Sequence, residues 1–112
     1  MKKIEAIIRP ESLEVVRNAL NIAGVTGLMI SEIEGHGKQK GVVQQWRGEK
    51  YRVELLPKAK IEIIVKDQDA GRICKAIIDN AKTGEMGDGK IFIYPVEDVI
   101  RIRTGEKGEL AV

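Results

Sequence analysis

A chain of 112 residues allows one domain with a single modest core and excludes a multidomain design. Lys plus Arg number 19 against 17 Asp plus Glu, a net charge of +2. That balance excludes a general pull toward nucleic acid or anionic membrane, so any anion site must come from local clustering. The single cysteine, Cys74, rules out an intrachain disulfide and suits a reducing cytosol.

After the opening MKK, Glu5 and Arg9 interrupt the apolar run, which is too short for a signal peptide or a membrane span. A soluble, cytoplasmic protein without membrane insertion is expected. Lys3 to Ile8 is rich in isoleucine and stops at Pro10, a first strand. From Glu11 to Ala23 the apolar positions Leu13, Val16, Leu20 and Ala23 follow helical spacing, and Gly24 supplies the stop. Gly27 to Glu34 reads as a second strand and Lys60 to Val65 as a third, with Ile61, Ile63 and Val65 on one side.

DQDAGRICKAIIDNAKTG then reads as a helix, capped by Asp67 or Asp69 and followed by Gly84. Ala70, Ile73, Cys74, Ile77, Ile78 and Ala81 form one continuous stripe, in which Cys74 reads as a buried, inert thiol. Lys90 to Tyr94 is a fourth strand, and Val99 to Arg103 a short fifth extended piece. The order β-α-β-β-α-β is the ferredoxin-like pattern. Both helices would cover one sheet face. The other would carry Ile7, Ile64 and either Phe92 or Ile91 among Lys3, Glu5, Lys60 and Glu62, a half-apolar surface suited to meeting copies of itself.

Residues His36 to Pro57 are too long and polar for a minimal connection, and Gly37, Gly41 and Gly48 punctuate them. Such loops are usually functional or disordered. Trp46, Arg47 and Tyr51 are residue types favoured at binding hot spots. Trp46 is expected on this loop, with a core position the alternative.

In GEMGDGK, Gly84 to Lys90, glycines let successive amides form an anion-binding nest, and Lys90 adds a compact charge. A plain helix stop and tight turn is an equal alternative on spacing alone. In VIRIRTGE an extended backbone would put Arg101 and Arg103 on one side, two guanidinium forks suited to a polyphosphate. If they cannot fold back onto their own nest, a neighbouring subunit would supply them. His36, the only histidine, has no partner at metal-ligand spacing, so no dedicated zinc site is expected. Glu5, Glu62 and Asp88 are candidate paired carboxylates, with a salt-bridge ladder of Lys and Glu the more usual arrangement.

Taken together, MKKIEAIIRP, GHGKQKG, RGEKYRVELLPKAKIEIIV, TGEMGDGKIFIYPV and VIRIRTGE resemble the PII signal-transduction family in order and spacing over essentially the whole chain. The resemblance implies an α+β, ferredoxin-like subunit with a long loop between the second and third strands, assembled as a homotrimer. The family's T-loop would span residues 37–55, its B-loop 82–90 and a C-terminal nucleotide-contact segment 99–106.

The resemblance further implies that ATP and ADP compete in clefts between subunits. Gly87, Asp88, Gly89 and Lys90 would hold phosphates, joined by Arg101 and Arg103 from a neighbouring subunit. Ile7, Gly27, Met29, Glu62 and Ile64 would line the nucleotide, with Gly35, Gly37, Lys38 and Gln39 at the T-loop base. Gln39 would help hold Mg²⁺ with ATP and the effector 2-oxoglutarate, whose site Lys40, Gly41, Lys58 and Gly87 complete. Trp46, Arg47 and Tyr51 would dock on targets, with Arg47 at the position of the arginine that plugs ammonium channels. An ammonium transporter is the expected partner, and other nitrogen-metabolism enzymes or regulators are compatible. Tyr51 matches a tyrosine uridylylated in some members, here in an altered context. Met29, Lys38, Glu85 and His36 stand where threonine, arginine, lysine and phenylalanine are common. They bear on nucleotide affinity and preference. The expected function is a non-enzymatic sensor. The alternatives are a small nucleotide-dependent enzyme using Glu62 or Asp88 as base, and an RNA module using Phe92 and Tyr94.

Overall fold

The computed structural model describes the backbone of residues 1–46 and 49–112 and the side chains of residues 1–34 and 57–112. Its elements are β1 (Lys2–Ile8), α1 (Leu13–Ile22), β2 (Met29–Trp46), β3 (Glu49–Val65), α2 (Asp67–Ala81) and β4 (Lys90–Pro95). They form the expected βαββαβ order, an antiparallel sheet of strand order β2-β3-β1-β4 with both helices on one face.

Alternation along the strands decides the two faces. Ile4, Ala6 and Ile8 of β1 and Ile61, Ile63 and Val65 of β3 point to the helices, where they meet Val16 and Leu20 of α1 and Ile73, Ile77 and Ala81 of α2 in one buried cluster. Burying each large aliphatic side chain contributes about 1.5–3 kcal/mol. Among the described residues no polar side chain is buried there. The register pairs Ala6 with Ile91 and Glu5 with Phe92. Ile91 therefore joins the helix side, while Phe92 and Tyr94 stand on the open face with Ile7, Ile64, Lys3, Glu5, Lys60 and Glu62.

Several expectations need correction. The helical stripe is narrower than the pattern implied: Ile78 is 49% exposed, because β4 sits at the sheet edge and the helix rotates it outward. Neither Asp67 nor Asp69 caps α2 with its side chain. The Lys66 backbone occupies the cap, and Asp67 instead pairs with the Met1 amino group at 2.8 Å. A single-turn 3-10 helix at Pro10–Ser12 precedes α1. That helix ends as expected: Gly24 takes φ 92°, and the Val25 amide returns to the Leu20 carbonyl at 3.0 Å.

The second and third strands do not stop at Glu34 and Lys60. Their ladder runs on from Glu34–Pro57 to Trp46–Glu49, with one register irregularity between Lys38 and Val42. Glycines drew attention to a loop, whereas Tyr51, Val53 and Leu55 recur at alternate positions, the period a strand requires. Val99 to Arg103 is not a strand. It is the start of a small reversal with one bridge, Ile100 to Lys107, in which the Gly105 amide returns to the Arg101 carbonyl at 2.7 Å.

Candidate functional site

α2 delivers the chain into residues 82–89, which turn back to β4 beside the end of β1. Here Gly84, Gly87 and Gly89 all have positive φ, at 88°, 94° and 106°. Gly89 is constrained further, since a Cβ there would lie 1.7 Å from the Ile7 carbonyl oxygen. Only glycine fits. The segment is a tight reversal in which Gly89 lays the backbone against β1.

Polar side chains hold this loop from three sides. Asp88 accepts the Thr83 hydroxyl and the backbone amides of Thr83 and Gly84, both at 2.9 Å. Arg9, just beyond β1, donates to the Met86 carbonyl at 2.7 Å and faces Asp88 Oδ1 at 3.4 Å. Lys58 donates to the Gly87 carbonyl at 2.7 Å. The Thr83 hydroxyl, the Thr83 and Gly84 amides and Arg9 together hold the Asp88 carboxyl at a pKa of about 2. Among the described residues, no acceptor engages the amides of Gly87 and Gly89.

Two grooves flank these elements. One, of about 250 Å³, is lined by Ile7, Asp88, Gly89 and Lys90 with the apolar Ile8, Ile77, Ile78 and Ile91. The other, of about 540 Å³, lies at the far end of the helix layer and collects Gly27, Met29, Glu62, Ile64 and Arg101. Ile7, Asp88, Gly89 and Lys90 thus line one surface, and Gly27, Met29, Glu62, Ile64 and Arg101 another.

Arg101 is fixed by Glu106 at 3.1 Å and by the Leu110 carbonyl at 3.3 Å, whereas Arg103 sits exposed in the turn. The two arginines do not project together from an extended strand, because the reversal at Gly105 (φ 74°) curls the backbone between them and the bridge. The three carboxylates do not converge either. Glu5 and Glu62 oppose each other across β1 and β3 and share Lys3, at 3.5 and 2.8 Å, with Lys60 3.6 Å from Glu62. Asp88 lies apart, against Arg9. Hydrogen bonding to Lys3 holds the Glu62 carboxyl below its ordinary value. The ladder of Lys and Glu is the arrangement observed.

The side chains of Gly35 to Gly41, Trp46 and Tyr51 lie outside the described residues, as does Arg47 entirely; His36 falls in the same set. Among the described residues no cluster that would hold a metal ion occurs, and no helix is long and apolar enough to cross a membrane. Cys74 is partly buried on α2, and desolvation pushes its thiol up, away from reactivity. The sequence reading missed Arg9 and Thr83. A threonine five residues before an aspartate in a glycine loop is a signal for such a cap, but nothing local marks Arg9, 79 residues away.

Comparison with known proteins bears on this arrangement. The family model described as nitrogen regulatory protein P-II matches residues 1–106. Nitrogen regulatory protein P-II 2 of Methanothermobacter thermautotrophicus is 54% identical over all of this chain and 97% of its own length. The proteins named nitrogen regulatory protein P-II in Nostoc punctiforme and Pasteurella multocida are 55% and 52% identical, each over the full length of both chains. A match of that extent, on a chain with this fold, shows that the protein belongs to the P-II family of nitrogen regulatory proteins.

Proposed function

We propose that this nitrogen regulatory protein is a sensor of adenine nucleotides, and that ATP and ADP compete for a cleft shared between subunits of a homotrimer. The backbone amides of Gly87, Asp88, Gly89 and Lys90, with the Lys90 ammonium, hold the phosphates. A neighbouring chain brings Arg101 and Arg103 to the same phosphates, and Ile7, Gly27, Met29, Glu62 and Ile64 line the nucleoside, with Gly35, Gly37 and Lys38 nearby. Gln39 holds Mg²⁺ with ATP and 2-oxoglutarate, and Lys40, Gly41, Lys58 and Gly87 complete the effector site. Residues 37–55 carry the ligand state of this cytoplasmic protein to a target through Trp46, Arg47 and Tyr51, an ammonium transporter that recruits it to the membrane being the leading candidate. This is a population shift driven by differential affinity.

The observation that supports this reading most is the glycine loop. Three positive-φ glycines and the close approach of Gly89 to Ile7 constrain its backbone, which supports a preorganised nest of amides of the kind an anion site needs. The division of the remaining residues between two grooves favours a shared site, because Arg101 faces a different surface from Lys90 in its own chain. Lys58 would exchange its present acceptor, the Gly87 carbonyl, for an effector carboxylate.

The family is one of regulators, and the protein is not an enzyme. The two carboxylates of the enzyme alternative are both engaged, Glu62 by Lys3 and Asp88 by Thr83, Gly84 and Arg9, which disfavours either as a general base. Calorimetric titration with ATP and ADP, repeated with Mg²⁺ and 2-oxoglutarate, tests the proposal. Saturable binding at one nucleotide per chain, weakened by Arg103→Ala, is expected. No binding of either nucleotide would overturn it.

A further inference from the structure

The phosphate-facing loop has a support that its own sequence does not contain. Its shape depends on one carboxylate, Asp88, whose acceptor sites are filled from opposite directions. Thr83 contributes its hydroxyl and amide from the α2 side, and Gly84 a second amide at 2.9 Å. Arg9 reaches across from the end of β1, with Nε and Nη2 each 3.4 Å from Oδ1, and the same Nη2 donates to the Met86 carbonyl at 2.7 Å. Arg9 therefore grips the loop at a side chain and at a main-chain carbonyl two residues earlier. Between the gripped positions lies Gly87, the residue whose conformation orients the following amides.

On the nucleotide reading above, we infer that Arg9 and Thr83 are positioning residues for the phosphate loop: acting through Asp88, they hold the Gly87–Gly89 amides in the geometry that receives an anion. Neither needs to touch the ligand. The physical basis is preorganisation. A glycine-rich loop left to itself samples many conformations, and ordering it on binding would subtract from affinity. Charge-assisted bonds to Asp88, made before any ligand arrives, remove that cost. Because both residues act through one carboxylate, their effects are coupled and not additive.

The test is calorimetric titration of ATP and ADP into the full chain and into Thr83→Ala, Thr83→Ser, Arg9→Ala and the Arg9→Ala/Thr83→Ala double variant, with Tm measured for each and for Asp88→Asn. We expect Thr83→Ala and Arg9→Ala each to weaken nucleotide binding about tenfold. Thr83→Ser should restore it, the double variant should lose less than the product of the single losses, and Tm should fall less in each single variant than in Asp88→Asn. Unchanged affinity in both single variants overturns the inference while leaving the nucleotide site standing. A loss that follows a fall in Tm and is not restored by Thr83→Ser also overturns it, because it marks general damage. A wild-type protein that binds no nucleotide overturns the nucleotide reading itself, and this inference with it.

Discussion

Gly89 lies so close to Ile7 that a single methyl group on its Cα would sit 1.7 Å from the Ile7 carbonyl oxygen. The close approach is main chain to main chain, beside the side-chain bonds that Arg9 and Lys58 make to the same loop. The backbone fixes the position of an alanine Cβ, so Gly89→Ala cannot escape the clash and also forces a φ of 106° on a residue with a side chain. It is expected to cost roughly 1–3 kcal/mol of stability from the backbone conformation, with more from the clash. Thermal denaturation would show the loss, and ATP titration a weakened site. A variant with wild-type Tm and affinity would mean that the loop sits elsewhere.

Asp88 should make the loop's contribution to stability sensitive to acid. Its folded pKa, about 2, lies below the ordinary value of 3.8. A depressed pKa means that the contribution is fully present above about pH 4 and is lost as pH falls through about 2. Wild type and Asp88→Asn should therefore differ most in Tm near neutral pH, and the gap should close on acidification. Parallel curves over that range would show that the carboxylate's charge is not engaged.

Gly71 offers the opposite kind of change. It lies within α2 at ordinary helical φ, and an added Cβ would meet nothing within 4 Å. Gly71→Ala should raise stability by about 0.5–1 kcal/mol, since alanine loses less backbone freedom on folding. Chemical denaturation reads this directly. A destabilised variant would indicate a neighbour over α2 in the assembled protein.

The open face of the sheet should be an assembly surface. Phe92 and Tyr94 are each 43% exposed, and the Lys3 ammonium lies 5.5 Å from the Tyr94 ring centre. Phe92→Asp places an unpaired charge where an apolar contact would be buried. Its mass by light scattering is expected to fall toward that of a single chain. A variant still fully assembled would place the interface on another face.

Much of this architecture was legible because it repeats. Ile4, Ala6 and Ile8 of β1 and Ile61, Ile63 and Val65 of β3 alternate, Ala70, Ile73, Ile77 and Ala81 of α2 recur every three or four residues, and periodic patterns reveal which way each side chain points. Isolated contacts leave no such trace. Arg9 and Asp88 are brought together by the sheet, and no spacing in the sequence records it. Alternation also misled: Val99 to Arg103 has a strand's period, but a strand needs a partner over its length, and the left-handed Gly105 reverses the chain first. In residues 36–57 the glycines outweighed the alternation of Tyr51, Val53 and Leu55, which carries the β2–β3 ladder onward.

Arg101 and Lys90 line different grooves of one chain. On the shared-site proposal, this separation has a genetic consequence. A chain lacking its loop and a chain lacking its arginines would each be defective alone. Mixed in one cell they would form rings in which an intact loop meets an intact arginine pair at a junction between unlike chains. Two recessive lesions at a single locus would then complement each other, while two lesions in the same half of the site would not.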